Sequence, residues 1–466
     1  MSSKVLRHGR DSTQADGPAA VVGAEPVGAS GARSLHSGIV TGSGEIERRP
    51  AAGHWALART LLIVVLVIAV LVPVARGLRP EAASVAPASG GVSSTMPGVE
   101  GTGTTTPMAV GSTSTTSSTT TTIATELPDD GKSSADRRLV DQLLIEDSDL
   151  QPKSIVATGT GLFFAQNMMY RHNVMVFDRS GNVVARIDDT VDLAAFGVAN
   201  GVTAQGSPVE AAVTPDGAHM YVSNYKMYGP GFDPSASDDC NRGDWDDSYV
   251  YKINTTSFEI EKVIATGSVP KFMAVSADGS RLLVANWCGF DVTVIDATTD
   301  TPITRIDVGR HPRGIAITSD SRYAYVAVMG EARIVKIDLR TNEIVGEVGD
   351  PGTTPRHLVL SPDDAYLYVS NHKQNVVRKI DLAANRSVGI ANTGTETRSM
   401  AIAEDGESLY VVNYRDGTMS KVRASDMTIL QTLDTGVHPV GITYDPVSRQ
   451  VWVANYAGTL RVFVDR

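Results

Sequence analysis

Recognisable catalytic motifs are missing from this chain, and several other features are scarce. The sequence has no Gly-x-Ser-x-Gly elbow, Cys-His arrangement, zinc-ligand spacing, phosphate-cradling loop or dinucleotide fingerprint. It holds two cysteines in 466 residues, and aromatic residues make up 6%, which is low for an all-β protein. A cationic excess is also absent, because the net charge is −11, and this disfavours a nucleic-acid partner. These absences favour a binding protein over an enzyme.

Apolar residues are densest in a run near the N-terminus, from Thr60 to Ala75. With residues 55–58 before it and Arg59 able to snorkel, the run reaches the roughly 20 residues that cross a bilayer. We therefore predict a transmembrane helix over residues 55–76. Seven basic residues precede the run and two follow closely, so the positive-inside rule places the N-terminus in the cytoplasm and the repeats outside. A cleaved signal peptide is the alternative, but the leading segment is too long for one.

The segments around this run have little capacity to fold. Residues 1–54 are rich in Gly, Ala, Ser and Arg without a sustained period, which indicates a disordered cytoplasmic tail. Residues 77–136 form a Ser/Thr/Pro/Gly-rich linker, almost pure Ser/Thr from Ser112 to Thr122. Such a linker resembles stalks that carry O-linked sugars, and an unmodified tether is the alternative. The folded domain is therefore expected over residues 137–466.

The rest of the chain repeats itself. Six similar tetrapeptides end one strand in each period, and the spacings between the last five are 42, 43, 42 and 42 residues. They begin at Tyr221, Leu283, Tyr325, Tyr368, Tyr410 and Trp452. One period divides into four short apolar or alternating runs, at 314–317, 323–328, 333–338 and 343–348, separated by Asp- and Gly-rich turns. This pattern predicts an all-β fold, a β-propeller of four-stranded antiparallel blades.

The number of blades follows from counting the strand ends. Six tetrapeptides give six blades, and residues 162–187 supply a degenerate seventh, so we predict seven, with six or eight as alternatives. The chain stops after a third strand at Arg466. Because an exposed sheet edge is a hazard, we expect a strand from residues 138–158 to complete the last blade. The alternatives are a three-stranded final blade, and a short helix over residues 137–146.

These repeats resemble the YVTN-type β-propeller family, which is related in fold to lactonase-like and NHL-type propellers. The resemblance covers residues 153–466. It implies the propeller fold, but one propeller fold hosts many activities. Some lactonase-like propellers are enzymes, so a lactonase-like hydrolase or lyase using a divalent ion stays open. No catalytic residue of that family maps onto this sequence.

Strand order predicts where a binding site lies. The start of the first strand and the end of the second share one mouth of the central channel, so side chains at these positions should converge. Four consecutive blades carry a base just before the first strand: Lys271, Arg313, Arg356 and Arg398. Such bases suit carboxylates and phosphates, so we expect an anionic ligand at this mouth. Pairing of each base with a neighbouring carboxylate is the alternative.

The second-strand ends add amides and rings to this mouth. The amides belong to Asn224, Asn286, Asn371, Asn413 and Asn455, and the rings that follow them to Tyr225, Trp287, His372, Tyr414 and Tyr456. We include all ten as candidate ligand contacts. The asparagines have a structural alternative, which is bonding to the backbone of the next blade, and the rings have another, which is filling the space between blades.

An insertion covers the same mouth. Asn224 and Asn286 are 62 residues apart, about 20 more than the period, and the surplus lies at residues 226–247. Since Cys240 lies on it and Cys288 on the corresponding loop of the next blade, we predict a Cys240–Cys288 disulfide; separate thiols are the alternative. Five carboxylates on the insertion are weak candidates for Ca²⁺: Asp238, Asp239, Asp244, Asp246 and Asp247. Solvated charge, or pairing with Lys271 and Arg313 across the mouth, is the favoured alternative to calcium.

The expected function is therefore a single-pass membrane protein that displays a propeller outside the cytoplasm as a binding scaffold. Its partner would be an anionic small molecule, a glycan or a protein segment, and we predict no cofactor. A divalent-ion-dependent hydrolase and a purely structural docking platform are the alternatives.

Overall fold

The architecture is that of a computed structural model, which describes residues 130–198, 201–233 and 238–466. The segments predicted as cytoplasmic tail and transmembrane helix, and linker residues up to 129, lie outside the described residues. In the described part of the chain, no helix is long and apolar enough to cross a membrane.

The described residues form seven four-stranded antiparallel sheets and one two-stranded hairpin. The first strand in the chain is β1 (Leu139–Glu146), which belongs to the last sheet. Blade 1 comprises β2 (Ser154–Ala157), β3 (Leu162–Asn167), β4 (Asn173–Asp178) and β5 (Val183–Asp188). The hairpin, β6 (Thr190–Asp192) and β7 (Thr203–Gln205), precedes blade 2, which comprises β8 (Pro208–Val213), β9 (His219–Asn224), β10 (Asp247–Asn254) and β11 (Ile260–Ser268).

The next three blades follow the repeat closely. Blade 3 comprises β12 (Pro270–Val275), β13 (Arg281–Asn286), β14 (Asp291–Asp296) and β15 (Thr301–Asp307). Blade 4 comprises β16 (Pro312–Ile317), β17 (Tyr323–Val328), β18 (Arg333–Asp338) and β19 (Glu343–Glu347). Blade 5 comprises β20 (Pro355–Leu360), β21 (Tyr366–Asn371), β22 (Val376–Asp381) and β23 (Arg386–Asn392).

The last two blades complete the set. Blade 6 comprises β24 (Thr397–Ile402), β25 (Ser408–Asn413), β26 (Thr418–Arg423) and β27 (Ile429–Asp434). Blade 7 comprises β28 (Pro439–Asp445), β29 (Gln450–Asn455), β30 (Thr459–Asp465) and β1 as its outermost strand. Short 3-10 helices lie at Ser134–Asp136, Leu193–Phe196 and Met329–Glu331.

The ring closes between blades 7 and 1. The innermost strands β2, β8, β12, β16, β20, β24 and β28 each pack against the next, and β28 packs against β2. β1 pairs antiparallel with β30, so the N-terminal strand completes the last sheet. Seven blades and closure by a strand from residues 138–158 are therefore confirmed. The helical alternative for residues 137–146 is wrong, because residues 139–146 form a strand that pairs with β30, and Leu139 and Ile145 are buried in different core clusters on its two sides.

The core lies between neighbouring blades. Each sheet contributes an apolar face, and the faces meet in separate buried clusters around the ring. At the closure the Trp452 ring stacks on Phe163 with centroids 4.1 Å apart. Burial of such aromatic surface contributes several kcal/mol on the scale of about 25 cal/mol per Å².

The turn between the first two strands of a blade is held by the same kind of side-chain hydrogen bond in different blades. In blade 3, the Ser276 hydroxyl donates to the Asp278 carboxylate at 2.6 Å, and Gly279 follows with a φ of +71°. Blade 5 uses Ser361 and Asp363 at 2.6 Å in the same way. The side-chain bond fixes the turn, and the left-handed residue reverses the chain.

Residues just before β1 also contact the propeller. Ser134 donates from its backbone N–H and its hydroxyl to the Asp405 carboxylate, at 2.6 and 2.7 Å. Asp130 pairs with Arg137 at 2.7 Å and with Arg449 at 3.5 Å. These residues come from the segment assigned to the linker, and they place its C-terminal end against blades 6 and 7.

Candidate functional site

The candidate site is built on the start of the innermost strands. Six of these strands, β8, β12, β16, β20, β24 and β28, carry a shift in their ladder immediately after the first residue. A shift of this kind re-aims a side chain relative to a regular strand. The four predicted bases occupy this irregular position, as the second residue of β12, β16, β20 and β24. The sequence placed them just before the strand, so the assignment was one or two residues out.

A fifth base joins them. Lys153 precedes β2 and follows Pro152, as Arg313 follows Pro312, and it stands at the equivalent position of blade 1. Sequence reasoning missed it because blade 1 lacks the repeated tetrapeptide. The Pro-base dipeptide was the signal that could have found it.

Charge interactions show that the bases converge. Lys153 Nζ lies 3.8 Å from Glu210 Oε1, and Arg313 Nη2 lies 3.6 Å from the same oxygen, so one carboxylate serves two bases from different blades. The pKa of Lys153 is lowered by burial and then by the charges of Arg313, Arg356 and Arg398, with Glu210 opposing them. Burial and the neighbouring guanidinium groups likewise lower the pKa of Arg356. Bases far apart in sequence therefore share one electrostatic field.

Three of these bases have unused donors. Arg356 makes no hydrogen bond or ion pair within 4 Å to any described residue. Lys153 Nζ and Arg398 Nε are buried and lack a hydrogen-bond acceptor among the described residues. Burying a cationic donor without an acceptor costs free energy, and a bound anion would offset that cost.

The insertion of blade 2 supplies a carboxylate to this mouth. Asp238 Oδ1 lies 2.6 Å from Lys271 Nζ and accepts a hydrogen bond from the Tyr225 hydroxyl at 3.0 Å. The Trp287 indole donates to the Asp238 carbonyl at 2.9 Å. This pairing with Lys271 is the alternative that the sequence favoured over calcium.

A disulfide between Cys240 and Cys288 fixes the insertion to blade 3. This prediction is confirmed. The bond lies two residues beyond Asp238, and both cysteines are buried beside Trp287. Cross-linking residues 48 apart restricts the unfolded chain and holds the Asp238 segment at the mouth.

The surroundings of Lys271 lower its pKa into the neutral range. Its Nζ lies 4.0 Å from the centroid of the Trp287 ring. Burial lowers the pKa of Lys271 to about 7, against the opposing charge of Asp238 and with further lowering from Arg313 and Arg356. Burial alone would raise the pKa of the Asp238 carboxyl, but the Lys271 ammonium holds that pKa below its ordinary value.

A cavity of about 500 Å³ opens at this mouth. Lys153, Lys226, Lys271 and Arg398 line it together with Asp238. Six rings also line it, from Tyr170, His172, Tyr225, Tyr228, Tyr414 and Tyr456. Arg313 and Arg356 do not line it, and they act on it as charges behind the lining residues. The volume suits a small ligand.

The predicted rings divide into two groups. Tyr225, Tyr414 and Tyr456 line the cavity, and the Arg398 guanidinium lies 3.3 Å from the centroid of the Tyr414 ring. Trp287 is packed away from it, stacked on His311 with centroids 4.4 Å apart. The His372 ring is also outside the lining, and burial followed by the charges of Arg356 and Arg398 lowers its pKa to about 4.

The five predicted asparagines do not line the cavity; all are fully buried. Asn371 accepts from the Thr354 backbone N–H at 3.3 Å and donates to the Pro351 carbonyl at 2.8 Å. Asn224 accepts from the Ser207 N–H at 3.0 Å, and Asn455 donates to the Thr435 carbonyl at 2.6 Å. Asn286 and Asn413 also bond protein groups, namely the Asp291 carboxylate and the Thr393 carbonyl. Their amides hold the loops between blades, which is the structural alternative.

The candidate calcium carboxylates are dispersed. Asp244 accepts from the Asn241 N–H, Asp246 from the Asp233 N–H, and Asp247 pairs with Arg305 at 2.9 Å. Asp239 and Asp238 complete the predicted set, and Asp238 is committed to Lys271. Among the described residues, no group of three or more His, Cys, Asp or Glu side chains could hold a metal ion.

Three histidines near the innermost strands, His311, His357 and His438, do not line the cavity. His357 lies within β20, where burial and then Arg313 and Arg356 lower its pKa to about 3, so its ring is neutral near pH 7. His311 and His438 precede β16 and β28 with positive φ values of 59° and 58°.

Comparisons with known proteins support the fold. No protein-family model and no curated protein matches this chain. Among solved structures, hydrazine synthase from Kuenenia stuttgartiensis matches with a TM-score of 0.54 and 18% identity, covering 68% of this chain and 96% of that chain. At this identity the likeness shows the fold alone. The YVTN-type resemblance stays a prediction.

Proposed function

We propose that this chain is a membrane-anchored, extracytoplasmic binding module whose propeller recognises an anionic ligand at the channel mouth. The observation that carries the proposal is the excess of bases there. Lys153, Lys271, Arg313, Arg356 and Arg398 outnumber the carboxylates that they contact among the described residues, namely Glu210, Asp238 and Glu396, and Lys153 Nζ and Arg398 Nε are buried without a hydrogen-bond acceptor there. Arg and Lys donors of this kind suit carboxylate and phosphate oxygens.

The size of the cavity favours a small molecule over a long polymer. About 500 Å³ accommodates a ligand of drug-like size or one terminal unit of a larger one. The insertion, held by the disulfide, contributes Asp238 to the lining of the cavity. A protein segment or a glycan would therefore enter by its end.

Location and anchoring belong to the same proposal. The charge difference across residues 60–75 supports a cytoplasmic N-terminus and an external propeller. The Cys240–Cys288 disulfide suits an oxidising compartment. Alkaline phosphatase fused after Arg466 folds actively only outside the cytoplasm, so an active fusion is expected, and an inactive but stable fusion would refute this location.

Ligand binding is tested by thermal unfolding and calorimetric titration of the full chain with inorganic phosphate, citrate and neutral glucose. The anions should raise the unfolding temperature, since a ligand that prefers the native state stabilises it, and glucose should not. Arg313→Glu/Arg356→Glu should abolish the anion effect. Arg386→Glu changes an exposed base on the outermost strand of blade 5 and should preserve it. Equal anion stabilisation in both variants, or none in the wild type, would overturn the proposal.

A further inference from the structure

The unbalanced charge at the mouth sets how many negative charges a ligand should carry. The five bases at the starts of the innermost strands meet two carboxylates there, which leaves an excess of three positive charges when a bound anion keeps Lys153 and Lys271 protonated. A third carboxylate, that of Glu396, lies 3.5 Å from Arg398 Nη2. Glu396 also pairs with Arg415 at 2.7 Å, and that arginine offsets its negative charge. A ligand with one negative charge would leave most of this excess uncompensated.

The unused donors indicate where the anionic group sits. Lys153 and Arg398 both line the cavity, and each has a buried nitrogen without an acceptor in the described part of the chain. Lys226 and Lys271 also line the cavity, and Lys271 is already paired with Asp238 at 2.6 Å. Lys153 and Arg398 are therefore lining bases with donors open to an anion, and the charge of Arg356 interacts with both.

The rings indicate what the rest of the ligand should be. Tyr225, Tyr414 and Tyr456 line the cavity beside the bases, and Tyr170 stands at its edge with 77% of its surface exposed. Tyrosine rings present a flat apolar face with a polar end, which suits stacking against another ring. The Tyr414 ring also makes a cation–π contact with the Arg398 guanidinium, at 3.3 Å from the ring centroid.

We propose that the mouth selects a small ring compound bearing a dianionic group, of the class of aryl or sugar phosphate monoesters. Its phosphate contacts Lys153 and Arg398, and its ring lies among Tyr225, Tyr414 and Tyr456. This inference rests on the proposed function, because it names the ligand class of the same site.

The test compares probes that differ in one property. Phenyl phosphate and phenyl sulfate share a ring, but near pH 7.5 the phosphate monoester carries close to two negative charges and the sulfate one. Inorganic phosphate keeps the charge and lacks the ring. In calorimetric titrations of the full chain, phenyl phosphate should bind at least about tenfold more tightly than either of the others.

Two variants locate the phosphate. Lys153→Gln and Arg398→Gln should each weaken phenyl phosphate about tenfold and reduce its advantage over phenyl sulfate. Arg386→Gln, on the outer strand of blade 5, is the matched control and should leave both affinities unchanged. Circular dichroism and thermal unfolding of each variant show whether it is folded.

The outcomes separate this inference from the proposed function. Equal affinity for phenyl sulfate and phenyl phosphate would overturn the dianionic class, while anion binding itself would stand. Equal affinity for inorganic and phenyl phosphate would overturn the ring. Unchanged phenyl phosphate binding in both folded variants would remove the assigned contacts. If citrate and inorganic phosphate also fail to bind the wild type, the proposed function falls with it.

Discussion

Asp238 Oδ1 lies 2.6 Å from Lys271 Nζ, so a carboxylate from the blade 2 insertion occupies part of the mouth that we assign to an anionic ligand. The Lys271 side chain is 6% exposed and that of Asp238 is 64% exposed. The contact therefore joins a buried base to a carboxylate that is largely exposed to water. The disulfide two residues on keeps that carboxylate near the base.

The first prediction concerns Asp238 as an internal counter-ion. Asp238→Asn removes one of the negative charges at the mouth and frees Lys271 for a ligand. We expect inorganic phosphate to bind three- to tenfold more tightly, in line with one charge-assisted hydrogen bond gained by the ligand. Calorimetric titration measures this directly.

Asp244→Asn is the control for this substitution. Asp244 lies on the same insertion, but it accepts from Asn241 within the loop and does not line the cavity. It should leave phosphate affinity unchanged. Weaker phosphate binding in Asp238→Asn than in the wild type would show that Asp238 positions the mouth instead of competing with the ligand.

The second prediction is a pH dependence of stability from Lys271. Burial lowers its folded pKa to about 7, below the ordinary lysine pKa of 10.5. Between these values the unfolded chain binds more protons than the native state, so this group makes the free energy of unfolding rise with pH from about 7 to about 10.5. Below about 7 the lysine is charged in both states, and its burial cost is present in full.

Lys271→Met removes this contribution and keeps an apolar stem beside Trp287. In urea denaturation, the free energy of unfolding should rise less between pH 7 and pH 10 for the variant than for the wild type. Nearby Asp238, Arg313 and Arg356 also bear on the group, but the guanidinium groups do not titrate in this window. Parallel stability curves for the two proteins over this range would contradict the lowered pKa.

The third prediction separates the asparagines from the ligand site. Asn371→Ala leaves the Thr354 N–H and the Pro351 carbonyl without their partner. Each lost buried hydrogen bond costs about 1–2 kcal/mol, so we expect the free energy of unfolding to fall by roughly 2 kcal/mol while phosphate affinity is unchanged. Urea denaturation and titration measure the two quantities.

Asn182→Ala is the matched control, because Asn182 bonds Asp178 at 3.0 Å in an exposed turn of blade 1. It should change stability by less than about 0.5 kcal/mol. If folded Asn371→Ala lost phosphate affinity, the strand-end amides would contribute to ligand binding after all, and this prediction would be wrong.

The fold was predictable because one local pattern recurs. The spacing of strand ends fixed the blade, and the missing fourth strand after Leu460 required a partner from elsewhere in the chain. The bases could be found from their register, since equivalent strand positions converge on one mouth. Lys153 escaped notice because its blade lacks the tetrapeptide.

The features of the candidate site that the sequence could not predict depend on side-chain direction and burial. A strand-end asparagine has the same register whether its amide faces the channel or the loop, so the sequence could not decide that Asn371 bonds Pro351. Trp287 follows an asparagine as Tyr414 does, yet the insertion covers it, and a loop without repeats gives no register for Asp238. The pKa of Lys271 depends on the burial that this loop creates.

The last prediction tests closure of the ring by β1. Leu139 and Leu144 lie on the same strand, but Leu139 is 4% exposed and packs with Tyr410 and Phe463, whereas Leu144 is 46% exposed. Leu139→Ala should lower the free energy of unfolding by about 2–4 kcal/mol, through lost burial and an unfilled cavity between blades 6 and 7. Leu144→Ala makes the same chemical change at an exposed position of the strand and should cost less than about 0.5 kcal/mol. If β1 were a loosely held strand on a ring already closed by other contacts, both leucines would give the same small change in urea denaturation. Only an integral fourth strand makes the two substitutions differ, because only then is Leu139 part of the core between blades 6 and 7.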